Sequence, residues 1–133
     1  MILVDTSAWI EYLRATGSTE HLLLRRLIDH DAPLATTDPV VMELLAGARD
    51  DAHLFALRRF TLRFQHLPVE GLADFEGAAE LYRRCRRAGI TPRSLTDCLV
   101  IRVAIRENVP LLARDRDLEK IAAVSGARMH DGS

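Results

Sequence analysis

With 133 residues the chain can bury a core without help from disulfides or structural metal and is too short to divide readily in two, so residues 1–133 are expected to form one domain. A hydrophobic share of 48% beside 28% charged residues excludes the disordered and fibrous classes, and a net charge of -1 excludes the basic excess of a dedicated nucleic-acid-binding module. Cys85 and Cys98 lack CxxC spacing, the N-terminus enters a strand at once, and no run of ~18 apolar residues occurs. Free thiols, a soluble cytoplasmic protein and no membrane contact are expected.

Short apolar runs alternate with longer helical patterns. "ILV", "PLA", "HLPV", "PLLA" and "ARMH" read as strands, which predicts an α/β fold with a central, mainly parallel sheet of about five strands. After the first strand, Trp9, Ile10 and Leu13 begin a helix, "ATGS" breaks it, and Leu22, Leu23, Leu27 and Ile28 mark a second. Asp38 before Pro39 forms an N-cap and first turn for the next helix, with Gly47 as its stop. Further helices are expected over roughly Ala52 to Phe64, over Leu72 to Ala88, and from near Leu95 after "GITPRS". The chain closes with the strand-helix unit "VPLLARDRDLEKIAAVSG".

Several acids stand where a core or a strand end belongs. Asp5 ends "ILV"; Glu43 has Val40 and Leu44 at i−3 and i+1; Asp97 shares a helix face with Ile101 and Ala104; Asp115 follows the last strand, with Asp117 two residues on. Each has a plain structural alternative, since an acid caps a helix or suits its first turn, and Ser94 with Asp97 resembles a capping box. In parallel α/β sheets, however, ligands bind outside the carboxyl ends of the strands, and that edge receives both Asp5 and Asp115. Carboxylates gathered in one crevice repel and take up protons unless a cation compensates. The matching cation is hard and oxygen-seeking, Mg²⁺ or alternatively Mn²⁺, and the chemistry such a site performs is in-line attack of water on a phosphodiester.

"ILVDTSAWI", the helical Glu of "TDPVVMELLAG", "LTDCLVIRVAI" and "PLLARDRDLEKIA" together resemble the PIN-domain ribonucleases, specifically VapC-type toxins, over nearly the whole chain and with the acids in the same order. The resemblance implies a three-layer α/β/α PIN domain and a Mg²⁺-dependent endoribonuclease of a type II toxin–antitoxin pair. It implies Asp5, Glu43, Asp97 and Asp115 as the catalytic acids, with Asp5 and Asp97 as direct metal ligands and either Asp115 or Asp117 completing the set. Thr6 or Ser7 matches the hydroxyl that hydrogen-bonds near the first aspartate. RNA as substrate, a homodimer, and a VapB-like antitoxin forming a heterotetramer or larger assembly are implied as well.

Other readings fit less well. A haloacid-dehalogenase-like phosphatase needs a second acid where Ser7 stands, the scattered glycines make no P-loop, and the five histidines make no zinc spacing. A metal-dependent phosphatase and a non-catalytic PIN-like scaffold remain as alternatives; loss of acids would favour the scaffold, and none is lost. Arg83 and Arg87 share one helix face, a solvated surface or a phosphate track towards the acids, with Arg93 and Arg114 as further RNA contacts. Trp9 and Leu13 are expected in the core, with Ile10 and Tyr12 leaving an amphipathic surface for an antitoxin helix.

Overall fold

The computed structural model describes residues 1–132. Its elements are β1 (Ile2–Val4), α1 (Thr6–Leu13), α2 (Thr19–Asp29), β2 (Leu34–Thr36), α3 (Asp38–Ala46), α4 (Asp51–Thr61), β3 (Gln65–His66), α5 (Gly71–Arg87), α6 (Leu95–Glu107), β4 (Leu111–Leu112) and α7 (Arg116–Ser125). The four strands pair in parallel in the order β3-β2-β1-β4, giving a three-layer α/β/α fold. The expected fifth strand, "ARMH", is reduced to one bridge from Met129 to Leu111. It follows the turn at Gly126, which ends α7 with a left-handed φ of 79°.

Buried parallel strands are apolar on both faces, and Leu3, Val4, Leu34, Ala35, Leu111 and Leu112 are accordingly buried, while the edge strand β3, Gln65–His66, is polar and exposed. Each leucine or valine so enclosed contributes about 1.5–3 kcal/mol. Helix α6 brings Cys98, Val100, Ile101, Val103 and Ala104 to the same core and packs against α3, α5 and α7. Cys85 and Cys98 are buried free thiols, and burial pushes the Cys98 thiol up to about 11.

Two local expectations are corrected. The cap of α3 is Thr37, and the Asp38 carboxylate instead pairs with His66 Nε2 at 2.7 Å and accepts from the Val69 N–H at 2.7 Å, tying α3 to the segment after β3. Trp9 is in the core, edge-on to Phe60, but Leu13 is 39% exposed, because α1 turns that position to the solvent side of its short apolar stripe. A feature the sequence did not signal is Asp74 on α5, fully buried and bonded by Arg102 Nε at 3.0 Å and Arg106 Nε at 3.1 Å from α6. Burial pushes this carboxyl up, but the Glu70 N–H and the two guanidinium groups outweigh it and hold it below its ordinary value. Gly77 leaves the space Arg102 needs, since a Cβ there would meet Arg102 Nε at 2.7 Å.

The direction of strand order reverses at β1: β2 and β3 lie on one side of it and β4 on the other. A crevice outside the carboxyl ends of β1 and β4 follows from that reversal.

Candidate active site

Asp5 is the first residue past β1. Its N–H donates to the Leu112 carbonyl at 2.8 Å, so the backbone at the acid is still locked to β4. The side chain caps α1: Oδ2 accepts from the Ser7 N–H at 3.0 Å and from Ser7 Oγ at 2.6 Å. Ser7 Oγ in turn accepts from the Arg114 N–H at 2.9 Å, which ties this acid to the turn after β4. Asp5 is 4% exposed, and the Thr6 N–H also bonds its carboxylate.

The next helix position supplies the second link. Thr6 Oγ1 donates to Glu43 Oε1 at 2.9 Å, drawing the carboxyl of α3 back towards β1 although Glu43 stands at an exposed rim. Asp97 lies in the first turn of α6. Ser94 caps that helix by accepting from the Thr96 N–H at 3.0 Å and not from the N–H of Asp97, and Asp97 does not bond back, so Ser94 is a simple cap and no capping box forms among the described residues. Asp115 caps α7, with Oδ1 accepting from the Asp117 N–H at 2.9 Å and the Leu118 N–H at 3.4 Å.

The acids feel one another. Burial raises the Asp97 carboxyl first, and the charges of Asp5, Asp115, Glu43 and Asp117 add to it, taking it from 3.8 to about 7. Asp5 is raised by burial and by Asp115 against the opposing Ser7 bonds, and Glu43 by burial and Asp5 against the Thr6 bond. Asp97 has neither hydrogen bond nor ion pair among the described residues. A half-buried acid among other acids is a candidate for a site that takes its positive charge from outside the chain.

The donors are all carboxylate oxygens, which suits a hard divalent cation. Among the described residues no three of them stand as a closed chelating cage. The charges of Asp5, Glu43, Asp97 and Asp115 nevertheless act on one another, which puts these carboxylates around one crevice. The donor chemistry therefore fits.

A sequence profile of the PIN domain matches residues 2–124. The ribonuclease VapC11 of Mycobacterium tuberculosis and a VapC ribonuclease of Mycobacterium bovis are each 44% identical to this chain over 126 residues, covering 94% of both partners. The chain belongs to the PIN-domain family of VapC proteins. Among solved structures, VapBC2 of Rickettsia felis has a TM-score of 0.75 at 16% identity and covers 98% of each chain. VapC20 of Mycobacterium tuberculosis has 0.71 at 22%, covering 90% of this chain and 93% of its own. These two show the same fold.

Within this VapC fold the basic residues separate. Arg83 is exposed on α5 and lines a shallow groove with Tyr82, Pro92, Arg93 and Leu95; Arg87 is exposed on the same helix. Arg114 is internally engaged, with Nη1 2.8 Å from Glu20 and Nε 3.5 Å from Glu11. Arg93 is not an outlying contact. Its Nη2 lies 3.0 Å from Asp115 Oδ1, its Nε 3.8 Å from Asp117 Oδ2, and its N–H donates to the same Asp117 oxygen at 3.1 Å. No sequence spacing signals this pairing across 22 positions; an arginine one residue before an N-cap is the only local hint.

Proposed function

We propose that this chain is the endoribonuclease toxin of a type II toxin–antitoxin pair, with residues 1–133 acting as one domain in the cytoplasm. The observation that supports it most is Asp97, without a partner among the described residues and raised to about 7 by burial first and then by four neighbouring acids. Asp5, Asp97 and Asp115 would hold the cation, Mg²⁺ with Mn²⁺ as the alternative. When bound, that ion supplies charge compensation for the acids and activation of water for attack on an RNA phosphodiester.

The chain's own side chains set the rest. Ser7 fixes Oδ2 of Asp5. Thr6 fixes Oε1 of Glu43, leaving Oε2 to orient the attacking water. Asp117 accepts from the loop before α6 and so acts behind Asp115, the acid we assign as fourth. Arg83 and Arg87 are proposed to contact RNA phosphates outside the crevice, a sequence-independent attraction that strengthens as salt falls.

A VapB-like antitoxin has a place to bind. Ile10, Leu13, Leu44 and Leu57 wall a groove of about 270 Å³ that reaches Glu43, with Arg14, Arg49 and His53 at its rim. An amphipathic helix fits such a surface, and an arginine carried into the acids would neutralise them. The exposed Met42 and Phe75, at 59% and 55%, support a homodimer and hence a heterotetramer or larger with antitoxin.

The test is incubation of purified protein with total RNA, with and without chelator, and mapping of new ends. Discrete ends that vanish with chelator and in Asp97→Asn are expected. Cleavage by that folded variant at the wild-type rate would defeat the assignment.

A further inference from the structure

Arg93 occupies a position that neither of its simple roles explains. An arginine meant only to track RNA has no need of the acids, and one meant only to brace Asp115 has no need of solvent, yet its side chain is 70% exposed. Its one short ion pair goes to Asp115 Oδ1, the oxygen that also caps α7. Its far side opens on the groove lined by Ala79, Tyr82, Arg83, Pro92 and Leu95. The guanidinium thus stands between the acids and a groove that also carries Arg83.

We propose that Arg93 is a stand-in cation for Asp115 in the metal-free protein and a substrate-phosphate contact once a divalent ion is loaded. The inference rests on the reading of Asp5, Asp97 and Asp115 as the ion-holding acids. An exposed ion pair is weak and is readily exchanged for a divalent charge. The backbone tie from the Arg93 N–H to Asp117 keeps the base of the side chain beside the crevice while the guanidinium changes partner. A fork of five donors then meets the non-bridging oxygens of a phosphate, the geometry arginine suits best. Ion and RNA therefore reinforce each other through one residue: the ion takes Asp115 and frees Arg93, and RNA takes Arg93 and frees Asp115. No bond is made or broken in this exchange.

The experiment compares wild type with Arg93→Ala and Arg93→Lys. Mn²⁺ binding is titrated without RNA by electron paramagnetic resonance. Binding of a short single-stranded RNA is measured in Ca²⁺ and in chelator, across a salt series. Removing the competing guanidinium should tighten Mn²⁺ binding in Arg93→Ala about threefold. The same variant should bind RNA about tenfold more weakly in Ca²⁺, with a salt slope shallower by about 0.7, and as wild type does in chelator. Arg93→Lys, keeping charge without the fork, should fall between the two.

Weaker Mn²⁺ binding in Arg93→Ala would overturn the proposal and make Arg93 a brace for Asp115. Unchanged RNA affinity in Ca²⁺ would overturn it too. If wild type itself binds no Mn²⁺, or Asp97→Asn binds it equally well, the underlying nuclease reading fails and this inference with it.

Discussion

Asp97→Asn should make the ion-free protein more stable above neutral pH, the opposite of what removing an ordinary polar partner does. In the folded chain the carboxyl is raised from 3.8 to about 7, so between those values the native state binds more protons than the unfolded state. Stability contributed by the neutral form is full below about 4 and is lost as pH rises towards 7. A rise of about three pH units at about 1.4 kcal/mol each sets an upper bound of about 4 kcal/mol. Water reaches this half-buried side chain, and screening reduces the figure to about 2 kcal/mol. Asparagine carries no charge and escapes the penalty. Thermal melts in chelator at pH 8 should place the variant about 7 °C above wild type, while at pH 4 the two should coincide. Adding Mg²⁺ at pH 8 should raise wild type and leave the variant where it was. A variant less stable than wild type at pH 8 in chelator would refute the idea that the acids strain one another.

Asp74→Ala should cost about 3 kcal/mol in urea unfolding, because it strands Arg106 half-enclosed without its carboxylate. That carboxyl is held below 3.8, so its contribution is present at neutral pH and disappears as pH falls through the acid range; equal stability of the variant and wild type at pH 7 would count against it. Leu13→Glu, at a 39% exposed position, should weaken antitoxin binding at least tenfold in a titration while RNA cleavage stays at the wild-type rate. The double change Arg83→Ala and Arg87→Ala should lower RNA affinity and reduce the salt slope by about 1.4 without altering Mn²⁺ binding.

The acids were legible in the sequence because strand ends are local facts. "ILVD" and "PLLARD" place Asp5 and Asp115 at carboxyl ends of strands in a parallel sheet, and the strand order delivers both to one edge. Thr6 and Ser7 came only with the family resemblance, which implies a hydroxyl near the first aspartate; the structure gives Ser7 to Asp5 and Thr6 to Glu43. What stayed hidden depends on pairs distant in sequence. Asp74 meets Arg102 and Arg106 only after α5 and α6 pack, and periodicity alone reads Asp74 as one more solvated acid. Arg93 reads from sequence only as an RNA contact, and its pairing with Asp115 appears once the β4–α7 turn lies beside it. The N-cap rule picks Asp38, but the tertiary demand of His66 and the Val69 N–H takes that carboxylate, and the cap position falls to Thr37. Leu13 shows the same limit from the apolar side, since helical spacing identifies a stripe but not which of its ends the partner helices cover.

Crystals soaked in Mn²⁺ and examined for anomalous scattering would locate the ion itself. A peak about 2.2 Å from carboxylate oxygens of at least two of Asp5, Asp97 and Asp115, with Glu43 close by and the peak absent in Asp97→Asn, is the expected result. Saturating Mn²⁺ that leaves this crevice empty, or settles at acids elsewhere on the surface, would contradict the assignment of these side chains.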